Sequence, residues 1–191
     1  MGMPATKPRR WTREQVLALI DANPLVTPRY ELVDGVLLVT PAPRGVHQFV
    51  VRELLVALDT YLTGKSLGEV LASPSDVELE DDTLTQPDVF VLPAAEALRL
   101  RREPTARSLL LAVEVLSPGS TRDDRGAKRE LYVRRIPEYW IVDADARLFE
   151  RWRAGDERPE IIREVLTWTP PRAREPFVLD LRAFFSRVFA A

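Results

Sequence analysis

A chain of 191 residues, 46% of them hydrophobic, is long enough for one well-filled core, whereas two independent cores would be a squeeze. Without cysteine it has no disulfide framework, no thiol nucleophile and no cysteine-based zinc site, and a formal net charge of −2 leaves any nucleic-acid contact to a local basic patch. No apolar run approaches the roughly 18 residues of a membrane span, and the first residues carry no apolar stretch of signal-peptide kind, so a cytoplasmic protein with no membrane partner is expected.

Thr12-Arg13-Glu14-Gln15 has the spacing of a capping box and starts a short helix that ends near Asn23-Pro24, within an N-terminal segment set at residues 1–28. One domain is expected over 29–191. Tyr30 to Thr40 reads as a hairpin turning at Asp34-Gly35, the dipeptide suited to a tight left-handed turn. A long amphipathic helix follows over 46–63. Strands are expected over 68–72, 76–79 and 88–92 as a meander, and Leu109 to Leu116 reads as a strand buried on both faces. Ser117-Pro118-Gly119-Ser120 stops it, and Thr121 or Asp123 caps a helix running to about Arg135. Glu138 to Val142 is the next strand, which completes a βαβ crossover. A hairpin back over 147–153, a strand over 160–168 and a closing helix over 181–189 finish the chain.

One residue breaks the apolar run of 109–116. Glu114 is a carboxylate among buried neighbours, a placement that costs several kcal/mol unless a hydrogen-bonded partner, an arginine or a metal ion compensates it. Asp88 opens another apolar strand directly after Gln86-Pro87, where it is either a turn residue or a second ligand. If the two strands are neighbours, both carboxylates point to one spot and offer the hard oxygen donors that Mg²⁺ prefers. Only Lys7, Lys65 and Lys128 are lysines among the 27 basic residues. Lys128 follows the Glu114 strand on the next helix, one turn from Tyr132, and its ammonium would stabilise developing negative charge.

These segments resemble a known family. Pro87-Asp88, Val113-Glu114-Val115-Leu116-Ser117-Pro118, Lys128-Arg129-Glu130-Leu131-Tyr132 and Pro137-Glu138-Tyr139-Trp140-Ile141-Val142-Asp143 are similar, in order, to the bacterial Uma family of putative restriction endonucleases, as are Tyr30-Glu31-Leu32-Val33-Asp34-Gly35 and the lone His47. The resemblance spans roughly residues 29 to 153. It implies a PD-(D/E)XK nuclease: a mixed α/β fold (α+β) with a restriction-endonuclease-like core, in which a mixed central sheet is flanked by helices. It further implies hydrolysis of DNA phosphodiester bonds with Mg²⁺, for which Mn²⁺ can substitute. Asp88, Glu114 and Lys128 would be catalytic, and Asp88, Glu114, the Val115 carbonyl and Glu31 would hold the metal. The usual superfamily lysine, two residues after the glutamate, is Leu116 here, and Lys128 stands in for it.

Alternatives remain beside several of these. Tyr132 contacts substrate or simply packs on its helix face, and His47 contacts substrate or makes a hydrogen bond at the helix start rather than binding a metal. Glu31 alternates with apolar residues and on that pattern alone would be exposed. Arg125, with Arg122 and Arg129, flanks the motif and is placed to contact DNA phosphates, or only confers solubility. Late aromatic residues such as Trp168, Phe184 and Phe189 cover the sheet or form a homodimer interface. The alternative function is a catalytically inactive nuclease-fold module that binds nucleic acid or protein.

Overall fold

Thr12 caps the first helix as its spacing predicts: its hydroxyl accepts from the Gln15 amide while Gln15 reaches back to the Thr12 amide, opening α1 over Arg13–Ala22. The computed structural model of the chain describes residues 10–23, 25, 27–42 and 45–190. The expected N-terminal segment is therefore described from residue 10 onward, except at 24 and 26. Asp34 and Gly35 take φ of 50° and 78°, the left-handed pair that turns β1 (Arg29–Val33) into β2 (Val36–Thr40). Next, α2 (Gly45–Leu62) buries Val50, Leu54, Leu58, Tyr61 and Leu62 along one stripe.

Strands β3 (Glu69–Ala72) and β4 (Val89–Leu92) pair directly, antiparallel. The strand expected over 76–79 is absent: Val77 makes only single bridges to Thr85 and Ala106, because it is wedged between two loop segments and not beside a continuous strand. A helix the periodicity did not suggest, α3 (Ala94–Leu100), follows Pro93 on a run of strong helix formers. All five residues of β5 (Leu111–Val115) are buried.

The helix expected from 121 to 135 is two pieces, α4 (Thr121–Asp124) and α5 (Ala127–Arg135). Gly126 makes the break, since a Cβ there would lie 2.7 Å from the Arg122 carbonyl oxygen. Strands β6 (Glu138–Asp143) and β7 (Leu148–Arg153) form the expected hairpin. The strand expected over 160–168 splits at Arg163-Glu164. Its first part, β8 (Glu160–Ile162), stays on β7, and its second, β9 (Val165–Trp168), leaves to pair with β10 (Phe177–Asp180). Asp180 caps the closing helix α6 (Leu181–Val188) through the Ala183 amide.

The central sheet has six strands in the order β3-β4-β5-β6-β7-β8, with β5 and β6 parallel and the other pairs antiparallel. Alternate residues face opposite layers. Val89, Val91, Val113, Val115, Trp140 and Val142 pack with Leu54 and Leu58 of α2 and Phe184 of α6. Phe90, Ala112, Tyr139 and Ile141 pack with Tyr132 of α5 and Ala97 of α3. Each fully buried leucine of α2 stabilises this sandwich by about 2 kcal/mol relative to exposure. Asp88 and Glu114 share the alternation of Phe90 and Ala112, so the fold assigns both carboxylates to the layer that contains α5. Among the described residues, no helix is long and apolar enough to cross a membrane.

Candidate functional site

The β4–β5 ladder pairs Val91 with Leu111, Phe90 with Ala112 and Val89 with Val113, and one further step sets Asp88 opposite Glu114. Opposed residues of an antiparallel pair carry their Cβ atoms about 5 Å apart on one face, so the two carboxylates named from sequence are cross-strand neighbours. The row continues across the sheet: Glu114 is in register with Ile141, and Ile141 with Glu150.

The two carboxylates have separate partners. Oδ1 of Asp88 accepts from Arg29 at 2.9 Å, and its Oδ2 meets His47 Nε2 and the Val115 amide, each at 2.9 Å. Glu114 instead faces Lys128, whose ammonium is 3.2 Å from Oε1, and Tyr132, whose hydroxyl donates to the same oxygen at 3.5 Å. The compensating cation beside Glu114 is thus a lysine and not an arginine.

Lys128 is only 1% exposed. Its ammonium lies 2.7 Å from Glu31 Oε2 and 3.5 Å from Asp124 Oδ1 as well. Glu31 is fully buried, contrary to its alternation pattern, because the β1–β2 hairpin lies against α5 through Val33, Leu38 and Leu131. Its other oxygen accepts the Gln86 amide at 2.8 Å, which ties β1 to the segment entering Asp88.

Tyr132 is completely buried and packs 4.8 Å from the Tyr139 ring, so it both fills the core and touches Glu114. His47 does make a hydrogen bond from the first turn of α2, but its partner is Asp88 on the sheet. With Asp88 ionised, Nε2 carries the donated proton, and Nδ1 is buried with no hydrogen-bond partner among the described residues. His47 forms part of the wall of two cavities. One, of about 150 Å³, is bounded by Arg29, Ser73 and Asp88, and the other, of about 370 Å³, by Ser117, Thr121, Arg125 and Asp143. Arg125 stands apart from these carboxylates, 42% exposed and paired with Glu150 and with Asp143, which lines the second cavity beside it.

Burial raises the Glu114 carboxyl well above the usual range despite Lys128, and the negative charges of Asp88, Asp124 and Glu31 add to the rise. Burial likewise pushes Asp124 up to about 6, against the pull of Lys128. Burial acts against the Lys128 ammonium too, but Glu114, Glu31 and Asp124 outweigh it and keep the group charged far beyond the ordinary lysine range. Asp88 goes the other way. Its burial is overcome by the hydrogen bond and charge of His47, by Arg29 and by the Val115 amide, and it stays below the usual carboxylate range.

Four buried carboxylates, Glu31, Asp88, Glu114 and Asp124, therefore face two permanent cations, Arg29 and Lys128. Burial, with this crowding of negative charge added to it, is why the Glu114 and Asp124 carboxyls are both raised. Among the described residues no group of three or more His, Cys, Asp or Glu is arranged to hold a metal; Arg29 pairs with Asp88, and Lys128 with Glu31, Glu114 and Asp124. The carboxylates are hard oxygen donors of the kind a divalent ion takes, but in this arrangement they are engaged by Arg29, His47 and Lys128.

The structure brings Asp88, Glu114, Lys128, Glu31, Tyr132, His47 and the Val115 backbone into one connected cluster. Two members escaped the sequence reading. Arg29 precedes the recognised Tyr30-Glu31 run by one residue, and Asp124 is four residues before Lys128, a spacing that offered a signal for an ion pair on one helical face.

Residues 14–181 match the sequence model of the Uma2 family, described as putative restriction endonuclease. The fold is similar to the crystal structure of a putative nuclease belonging to DUF820 from Anabaena variabilis ATCC 29413, with a TM-score of 0.71 and 18% identity over 91% of this chain and 98% of that one. No curated protein matches the chain.

Proposed function

The chain belongs to the Uma2 family of putative restriction endonucleases, and we propose that it is a Mg²⁺-dependent endonuclease that hydrolyses phosphodiester bonds of DNA. The observation that carries this reading is the Lys128 ammonium 3.2 Å from Glu114, with Asp88 in register across the strand pair. Asp88 and Glu114 would hold the ion, with the Val115 carbonyl and Glu31 beside them, and Mn²⁺ could replace Mg²⁺. When bound, such an ion polarises a phosphate oxygen and lowers the pKa of a water.

The residues of the chain do the rest. Lys128 brings positive charge next to the ion-binding carboxylate, where it would stabilise the charge that develops on the phosphate. His47 and Arg29 fix the orientation of Asp88, and Tyr132 fixes that of Glu114. Arg125, at the cavity that His47 also lines, is the candidate for a flanking phosphate. Nicking of supercoiled plasmid tests the reading. Activity is expected to need Mg²⁺ or Mn²⁺ and to vanish in folded Asp88→Asn and Glu114→Gln proteins, and nicking that survives both changes refutes it.

A second reading has one observation in its favour. Position 116 holds leucine and not the usual lysine, while the stand-in Lys128 is enclosed by carboxylates. On that reading the chain is a nuclease-fold binding module without catalysis. Calorimetry separates the two, since a folded protein that takes up no divalent ion is a binding module.

A further inference from the structure

Three carboxylates from three elements surround the three N–H donors of Lys128: Glu31 on β1, Glu114 on β5 and Asp124 on α4. Two of them have other ties. Glu31 accepts the Gln86 amide, and Glu114 accepts the Tyr132 hydroxyl. Asp124 is different. It is 1% exposed, and apart from Lys128 its polar neighbour is the Ser120 side chain, with no well-formed hydrogen bond to either oxygen.

A buried carboxylate in that condition is a cost to the fold, and a neutral side chain of the same size would be cheaper at this position. The chain nevertheless builds a support for it. The Tyr139 hydroxyl donates to the Asp124 carbonyl at 3.0 Å, the Asp124 amide is bonded to the Ser120 carbonyl at 2.9 Å, and Gly126 supplies the break that ends α4 beneath α5. The anchored backbone presents a carboxylate to the Lys128 ammonium at 3.5 Å, with the Ser120 side chain as its other polar neighbour. Glu31 approaches that ammonium more closely than Glu114 does, 2.7 Å against 3.2 Å, and Asp124 at 3.5 Å is the third carboxylate beside it.

We propose that Asp124 is a positioning residue that holds the Lys128 ammonium beside Glu114. The proposal rests on the reading of Lys128 as the ammonium of the active site, and it adds to that site a residue beyond the two carboxylates and the lysine. Asp124 acts through Lys128 and touches no substrate.

The test is a nitrogen-15 spectrum of the lysine ammonium groups, recorded on the full chain without metal or DNA. The chain has three lysines, so Lys7→Arg and Lys65→Arg variants assign the Lys128 signal. Wild type is expected to show a Lys128 ammonium in slow exchange with water. Asp124→Asn is expected to shift that signal and speed its exchange about tenfold, the effect of losing one charge-assisted contact. The indole signals of Trp140 and Trp152 should stay in place as the check on folding, and Asp124→Glu should restore slow exchange.

In plasmid nicking, kcat should fall in Asp124→Asn while KM for DNA is unchanged. Should the asparagine variant fail to fold, Asp124→Ala serves as the second neutral replacement. A Lys128 exchange rate within about twofold of wild type in either folded variant overturns the proposal. An Asp124-dependent ammonium signal in a protein that never nicks DNA supports the positioning role and refutes only the nuclease reading.

Discussion

Asp88 and Glu114 stand opposite each other across β4 and β5, yet each is neutralised by a different cation, Asp88 by Arg29 and Glu114 by Lys128. Neighbouring buried carboxylates repel, and the chain relieves the repulsion unequally. Asp88 is held low by three donors, whereas burial raises Glu114 despite its one shared ammonium. The two halves of the proposed ion site are thus shifted in opposite directions, Asp88 down and Glu114 up.

Replacing Lys128 by methionine removes the one cation shared by Glu31, Glu114 and Asp124. Leaving buried acids unpaired in this way costs about 3–5 kcal/mol, most of it from the charges left behind. Adding Glu31→Gln to the same protein is expected to recover part of the loss. Urea unfolding of the four proteins of this cycle measures the coupling, and a coupling below ~0.5 kcal/mol would show that the ammonium and Glu31 do not interact as their 2.7 Å separation implies.

Stability should respond to pH in two directions. Asp124 rises from an ordinary 3.8 to about 6 on folding, and Glu114 rises too, so folding favours their protonated forms. That contribution is fully present below the unfolded value and is lost as pH climbs through about 6. Asp88 is lowered on folding, so its contribution is present above 3.8 and is lost as pH falls toward its depressed value. Maximal Tm is therefore expected near pH 4, with a decline as pH climbs to about 6. Asp124→Asn should be the more stable protein above this range, by up to roughly 3 kcal/mol, and no different below it. Parallel Tm curves for the two proteins from acid to neutral pH would contradict this account.

How much of this can be read from the residues alone depends on how local the cause is. Thr12 with Gln15, and Asp34 with Gly35, act within four residues, and both elements form where their spacing places them. Glu114 was conspicuous because a single charge interrupts an apolar strand, and burial is indeed what shifts it. Glu31 carries no such mark: β1 alternates like an exposed hairpin, and only its packing on α5 makes the position a buried one. Asp124 sits in Thr121-Arg122-Asp123-Asp124-Arg125, a run that looks like a solvated helix start until Gly126 ends the turn and Lys128 folds over it. The split of residues 160–168 was equally hidden, since both halves have strand composition and the reason for parting them is β10, a partner nine or more residues further on.

Gly126→Ala tests the break between α4 and α5. Its new methyl group would stand 2.7 Å from a main-chain carbonyl, which cannot yield as a flexible side chain can. A cost of about 1–3 kcal/mol is expected, together with a change at Lys128, because the break sets Asp124 beneath it. Gly45→Ala is the matched control: nothing lies within 4 Å of a Cβ at the start of α2, so that variant should be neutral or slightly stabilised. Thermal unfolding of both proteins decides the matter, and equal behaviour of the two would show that the close approach at Gly126 is not what shapes this segment.

If Asp88 and Glu114 hold a divalent ion, uptake must release protons. Glu114 is held protonated by burial and by its acidic neighbours, and only its ionised form is an effective ligand. An arriving cation lowers the pKa of every carboxylate around it, so Asp124, poised at about 6, is drawn into the same exchange. Near pH 6, Mg²⁺ binding should therefore expel about one proton per ion, seen as a binding enthalpy that changes with the ionisation enthalpy of the buffer. Asp124→Asn should reduce that dependence and Glu114→Gln should abolish binding. Saturating Mg²⁺ at a hundredfold excess over its Kd should also stabilise the wild-type protein by about 2.7 kcal/mol, an increment that Glu114→Gln loses. Binding that persists with a buffer-independent enthalpy would mean that the ion sits elsewhere, because no site that includes Glu114 can fill without displacing its proton.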